Sequence, residues 1–332
     1  MRTICAIATV LSALIGPAAI ANPADQDGLN PEARQSPPSR SARVSAERVA
    51  PNFRLTEDEV SFPFVVVRGI PFVEATINGV RGKLMLDTGA QKALSLNSNR
   101  IPLTGGKEAG NGMFGSGQSF VTLLHANVET VDIGGFSFRD VRDVESQEAP
   151  MLEAITPDFA GWLGFNFWRG YTLKLDYTKN IATFHRDEAQ VEGRSPKFLA
   201  GETLVGAIHY EKRNLPNIPV VRARIGSQSF DGLFDTGNSG YIWIDAELQK
   251  QLTAAGKIKP AEQGGERVTL EGITIEGAGI YSMSVEALPP PFPAAIPIGT
   301  TTPNVIAFGY SFLNQYKTVW DFTGQTIYLL EK

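Results

Sequence analysis

Two carboxylates in matching settings are the residues of this chain best suited to do chemistry. Asp87 heads the tripeptide Asp87-Thr88-Gly89 and Asp235 heads Asp235-Thr236-Gly237; each follows an apolar run, Lys83-Leu84-Met85-Leu86 and Gly232-Leu233-Phe234. At ordinary residue frequencies, two chance copies occur in about one such chain in several hundred. If the two turns meet, the carboxyls cannot both ionise cheaply, so they share one proton and titrate as a pair. The charged member can then take a proton from a water held between them while the protonated member donates to a carbonyl. Such chemistry needs no metal, cofactor or covalent intermediate.

The elements that must position these residues are also written twice. Pro71 precedes Asp87 by 16 residues and Pro219 precedes Asp235 by 16. Both prolines open alternating segments, Phe72-Val73-Glu74-Ala75-Thr76-Ile77 and Val220-Val221-Arg222-Ala223-Arg224-Ile225, which predict strands followed by glycine turns. Downstream, Trp162-Leu163-Gly164 and Ala307-Phe308-Gly309 each pair two apolar residues with a glycine, 77 and 74 residues after their aspartates. Twelve residues later come Asp176 and Asp321, each at the start of a Thr-containing turn. Aspartate commonly fixes such hairpins, so this second repeated pair reads as structural.

On these residues the sequence, over about 60–332, resembles the aspartic proteases of the pepsin and retropepsin type. The stretch Gly161-Trp162-Leu163-Gly164-Phe165-Asn166-Phe167-Trp168 with Leu173-Lys174-Leu175-Asp176-Tyr177 is especially similar to bacterial retropepsin-like domains. The resemblance implies an all-β fold of two β-barrel-like lobes about a pseudo-twofold axis. It also implies a catalytic dyad of Asp87 and Asp235 in the cleft between lobes, and a psi-shaped crossed loop packing each hydrophobic-hydrophobic-Gly segment behind its turn. Thr88 and Thr236 would cross-bond the turns, and Gly89 and Gly237 would permit conformations and approaches that a side chain obstructs. The sequence departs from pepsin-like enzymes after each triplet, with Ala90 and Asn238 in place of Ser or Thr. Losing a hydroxyl donor to the ionised carboxylate predicts activity reaching less acidic pH than pepsin's.

Between the first triplet and its apolar-Gly segment lies a glycine-rich stretch with a formal G-x-G-x-x-G at Gly110, Gly112 and Gly115. A dinucleotide site would need a helix next, whereas Ser119 to Leu124 alternates like a strand. The resemblance makes this stretch a flap, with Gly112, Met113, Phe114 and Gly115 contacting substrate and Met113 and Phe114 as the apolar tip. An ordinary exposed turn is the alternative. The corresponding place in the second half, Gln263-Gly264-Gly265, is shorter and has no aromatic. The second half instead has a predicted helix after its Asp-Thr-Gly turn, with Asp245 as N-cap, Leu248 and Leu252 on one face and Gly256 at the end. Pro289 to Pro293 reads as a rigid loop bordering the cleft, and Trp162, Phe165, Phe167 and Trp168 read as core.

With 332 residues, 42 % hydrophobic, the chain is long enough for two cores. Its 33 glycines and 21 prolines, among short apolar runs, favour strands and turns. Residues 1–21 have the pattern of an export signal: Arg2, an apolar stretch from Ile4 to Ile15, and Ala19-Ile20-Ala21 before a cut after Ala21. The expected location is periplasmic or secreted. The one cysteine, Cys5, falls inside that signal, so disulfides are not expected.

Residues 22–52 lack apolar periodicity and predict a disordered linker. On the resemblance, Arg34, Arg40, Arg43 and Arg48 would belong to a basic prosegment. The halves follow as 53–190 and 191–332. A net charge of −5 argues against a nucleic-acid partner. His125, His185 and His209 have no metal-ligand spacing. The expected partner is a polypeptide, bound by a monomer that already holds both aspartates. A peptide-binding pseudoprotease without turnover and a structural β-protein are the competing readings.

Overall fold

The computed structural model describes residues 58–115, 117–187, 196–261 and 267–332. The predicted export signal, the 22–52 segment and Gln263-Gly264-Gly265 lie outside the described residues. The fold is all-β, with 51 % strand and 10 % helix, in sheets of 6, 10 and 7 strands.

The two alternating segments become the first arms of two hairpins. Strand Ile70–Ile77 pairs with Val80–Asp87 across Asn78-Gly79, both of which hold positive φ as a tight two-residue hairpin turn requires. Strand Val220–Ile225 pairs with Gln228–Phe234 in the same way across a turn begun by Gly226, φ 61°. The second arm of each hairpin ends at or just before its aspartate. It then pairs in parallel with an apolar-Gly strand: Val80–Asp87 with Phe159–Gly164, and Gln228–Phe234 with Val305–Phe308.

The next neighbours repeat as well. Leu94–Asn97 lies antiparallel to Phe159–Gly164, and Tyr241–Trp243 antiparallel to Val305–Phe308. Each is followed by a parallel strand, Val144–Gln147 in the first half and Ile280–Leu288 in the second.

Beyond this frame the halves differ. In the second, Arg267–Ile275 pairs with Ile280–Leu288 on one side and with Val220–Ile225 on the other, closing the sheet into a ring. In the first, two separate hairpins occupy those positions and the sheet stays open: Lys107–Met113 with Ser119–His125, and Val128–Ile133 with Phe136–Val141.

The six-stranded sheet joins the halves, taking three strands from each. At its centre Tyr171–Asp176 runs antiparallel to Lys317–Asp321, with Leu173 opposite Trp320 and Asp176 opposite Lys317. Glu202 binds both Lys174 and Lys317 across this seam. Asp176 and Asp321 sit in the hairpin turns and accept backbone N–H groups from Thr178, Lys179 and Gly324, the structural role expected of them. Trp162, Phe165, Phe167 and Trp168 are all buried, as core residues. The predicted helix spans Ala246–Ala254; Asp245 accepts from Leu248 N at 2.9 Å, and Leu248 and Leu252 face inward.

Candidate active site

Each aspartate ends or immediately follows a central strand, because a parallel partner fills the space behind it. Asp87 is registered opposite Gly164. A Cβ on Gly164 would lie 2.2 Å from Lys92 O, and one on Gly309 would lie 2.0 Å from Asn238 Oδ1. In each half the chain that leaves the aspartate turn therefore crosses directly over the apolar-Gly segment. No side chain fits at the crossing.

The structure brings the two turns together. Thr88 N donates to Thr236 Oγ1 at 3.0 Å and Thr236 N donates to Thr88 Oγ1 at 3.0 Å. Thr236 Oγ1 in turn donates to Leu86 O at 2.7 Å. These are buried, fully partnered bonds between residues 148 apart in sequence, and they hold the two acidic turns in one mutual orientation.

The glycines face the opposite acid. A Cβ on Gly237 would stand 2.6 Å from Asp87 Cγ, and a Cβ on Gly89 would stand 2.9 Å from Asp235 Oδ1. Neither glycine is in the left-handed region. Of the two properties expected of them, it is close approach that the site uses, and not unusual backbone conformation.

Gly89 N donates to Asp87 Oδ1 at 2.7 Å and also to Asp235 Oδ1 at 3.2 Å, so one amide serves both carboxyls. Ala90 N reaches Asp87 Oδ1 at 3.3 Å, and Gly237 N donates to Asp235 Oδ1 at 2.8 Å. The other oxygen of each, Asp87 Oδ2 and Asp235 Oδ2, is buried without a partner among the described residues.

Burial pushes both carboxyl pKa values up. Asp87 moves furthest, because the Asp235 charge adds to desolvation. In Asp235, the Gly237 and Gly89 amides pull against desolvation. The two carboxyls therefore titrate as one pair, which holds a proton above the ordinary carboxyl range.

The residues after the triplets supply no hydroxyl. Ala90 is buried and apolar, and Asn238 turns its amide to Asp235 O at 3.0 Å while its Oδ1 accepts from Gly240 N. Asn217 had no signal in the sequence. Its Nδ2 crosses from the second half to Thr88 O and Gly89 O at 3.0 and 2.9 Å, and only the tertiary fold brings a residue 128 positions away into reach.

The glycine-rich stretch is a hairpin, with Met113 opposite Ser119 and Gly112 opposite Phe120. Phe114 N donates to Gln118 O and Gly117 N to Phe114 O, which fold the tip back. Phe114 is not an outward apolar tip: it is 2 % exposed, with its ring centroid 4.4 Å from Phe120 and 5.8 Å from Trp162. Turning inward removes its apolar surface from water and anchors the hairpin to its own half.

Met113 instead crosses to the second half, where it packs against a cluster that includes Trp243 and Phe292. Gly117 lies against Pro293, which sets the Pro289 to Pro293 loop against the glycine-rich hairpin. With the hairpin down, Asp87 is 0 % and Asp235 3 % exposed, and the space beside Asp235 and Phe292 is a cavity of about 10 Å³.

Comparison with known proteins finds no protein-family model that matches the sequence and no curated protein that matches it.

Proposed function

We propose that the protein is an exported aspartic endopeptidase of the pepsin and retropepsin type, with both lobes in one chain and a polypeptide bound in the cleft between them. The observation that carries this reading is the reciprocal fit of the two turns. One amide, Gly89 N, serves both carboxyls, and each triplet's glycine makes room for the other's acid.

In this reading Asp235 is ionised and Asp87 protonated at working pH. A water between Oδ2 of the two groups loses a proton to Asp235 as its oxygen attacks the scissile carbonyl carbon, while Asp87 donates its proton to the carbonyl oxygen. Collapse of the tetrahedral diol breaks the C–N bond. The proton held by Asp235 passes to the leaving amine and Asp87 recovers its proton from the diol, so the pair ends as it began.

Peptide entry requires the tip of the Lys107–His125 hairpin to lift from Pro293 and the Phe292 cluster, and its return excludes bulk water. The test is hydrolysis of casein or a mixed peptide library between pH 3 and 6. Asp87→Asn and Asp235→Asn are each expected to lower kcat by at least about 1000-fold, with a statine-type mimic inhibiting the native protein. A protein that binds peptides with no turnover above the variants is the pseudoprotease alternative; one that neither binds nor cleaves them is a structural β-protein.

A further inference from the structure

The dyad does not use the polar groups buried further along the same face of the first half. Val144–Gln147, Leu94–Asn97 and Phe159–Gly164 are adjacent strands, and their register places Glu145 opposite Ser95 and Ser95 opposite Trp162. Ser95 Oγ donates to Glu145 Oε1 at 2.6 Å. Glu145 and Gln147 are each 2 % exposed and Thr122 0 %. Yet Glu145 Oε2, both ends of the Gln147 amide, Thr122 Oγ1 and Trp162 Nε1 have no partner among the described residues.

Five unmatched polar atoms on neighbouring strands are costly to leave in a core, which ordinarily pairs nearly every such group. The nearest cation is already committed, since Lys92 Nζ donates to Asp143 Oδ1 at 2.8 Å. Burial correspondingly raises the Glu145 carboxyl pKa, against the Ser95 bond and the Lys92 charge.

The location ties these groups to the cleft. Trp162 stacks on Phe114 of the hairpin, Thr122 is on the hairpin's second strand, and Trp162 shares its apolar cluster with Ala90, which follows the first catalytic turn. Lifting the hairpin's tip takes Phe114 off Trp162 and opens this face, while the base of Ser119–His125 stays paired with Val144–Gln147 and keeps Thr122 beside it.

We infer that Glu145, with Ser95, Thr122, Gln147 and Trp162, forms a recognition pocket for a basic side chain, lysine or arginine, of the bound polypeptide. The inference rests on the peptidase reading for its ligand. Glu145 Oε2, Gln147 Oε1 and Thr122 Oγ1 accept from the cationic head, while the Trp162 ring lies along the aliphatic stem. The net charge of the pocket selects a cation over an isosteric neutral group.

The test uses peptides that differ at a single position near the scissile bond, bearing Lys, Arg, norleucine or Glu, assayed for both cleavage and equilibrium binding with native protein and Glu145→Gln. The expected result is a native preference for Lys or Arg, with Glu145→Gln lowering kcat/KM for the basic peptides roughly 30-fold or more and leaving the norleucine peptide within about threefold. Thermal melting checks that the variant folds. If it does not, Gln147→Leu is substituted, with a smaller drop expected in the same basic-to-neutral ratio. Cleavage with an unchanged ratio overturns the pocket and leaves the peptidase reading intact. Binding that keeps the Glu145-dependent basic preference without cleavage overturns the peptidase reading and retains the pocket. Failure to bind or cleave any peptide overturns both.

Discussion

The second half closes its sheet into a ring, and the first leaves its sheet open with a hairpin at each free end. The strands that hold the aspartates are the same in both, down to parallel pairing with an apolar-Gly strand. A closed ring has no spare backbone edge from which a long hairpin can grow, and among the described residues the second half adds only Ile258–Pro260 to it. An open sheet has such an edge. The acid pair thus depends on strands the halves share, whereas the glycine-rich hairpin over it depends on what they do not.

Substitutions at the shared frame should have the largest effects. Gly237→Ala puts a methyl into the Asp87 carboxyl, and is expected to destabilise by about 1–3 kcal/mol and to lower kcat about 100-fold. Gly89→Ala, whose contact is slightly longer, should follow the same pattern less severely. Near-native rates in Gly237→Ala would show that the two turns do not meet as described.

The hairpin divides its two apolar residues between the halves, and this can be separated by measurement. Phe114→Ala is expected to cost about 3 kcal/mol in urea unfolding, because the ring is buried on Trp162. Met113→Ala should cost less than about 1 kcal/mol but raise KM, because its contacts are with the half across the cleft. The reverse order would mean that the lid is anchored on the second half.

The dyad makes stability depend on pH in a defined direction. Both folded carboxyl pKa values lie above the ordinary value, so the native state binds the shared protons more tightly than the unfolded chain does. The stability this contributes is complete below about pH 4 and is lost as pH rises through the folded values. Asp87→Asn should therefore melt higher than the native protein at pH 7, by about 2–4 °C for each kcal/mol relieved. The advantage should vanish near pH 4; an equal advantage at both values would assign it to packing.

The smallest effect is expected at Ala90→Ser, which adds a hydroxyl donor beside Asp87. It should move the kcat/KM pH profile toward acid by about half a unit, chiefly at its alkaline limb, sharpening the contrast between the residues that follow the two triplets.

Much of this was legible in the sequence because the repeat preserves spacing. Pro71 and Pro219 announce matching hairpins, Gly164 and Gly309 mark matching crossings, and Asp245 caps a helix by local chemistry alone. What sequence could not convey is direction across the cleft. Met113 and Phe114 are adjacent and both apolar, so no pattern tells which turns home and which reaches over. Asn217 and Glu145 look like ordinary polar residues until the fold sets one on the opposite turn and buries the other beside a hairpin strand. Ring closure is likewise hidden, because Arg267–Ile275 must curve to pair with two strands at once.

The mutual seating of Gly89 against Asp235 and of Gly237 against Asp87 has a consequence for descent. After a duplication the two copies are free to drift apart in lids, pockets and barrel closure, but not at this contact, where each is the wall of its sibling's chamber. A mutation there is never private to the copy that carries it.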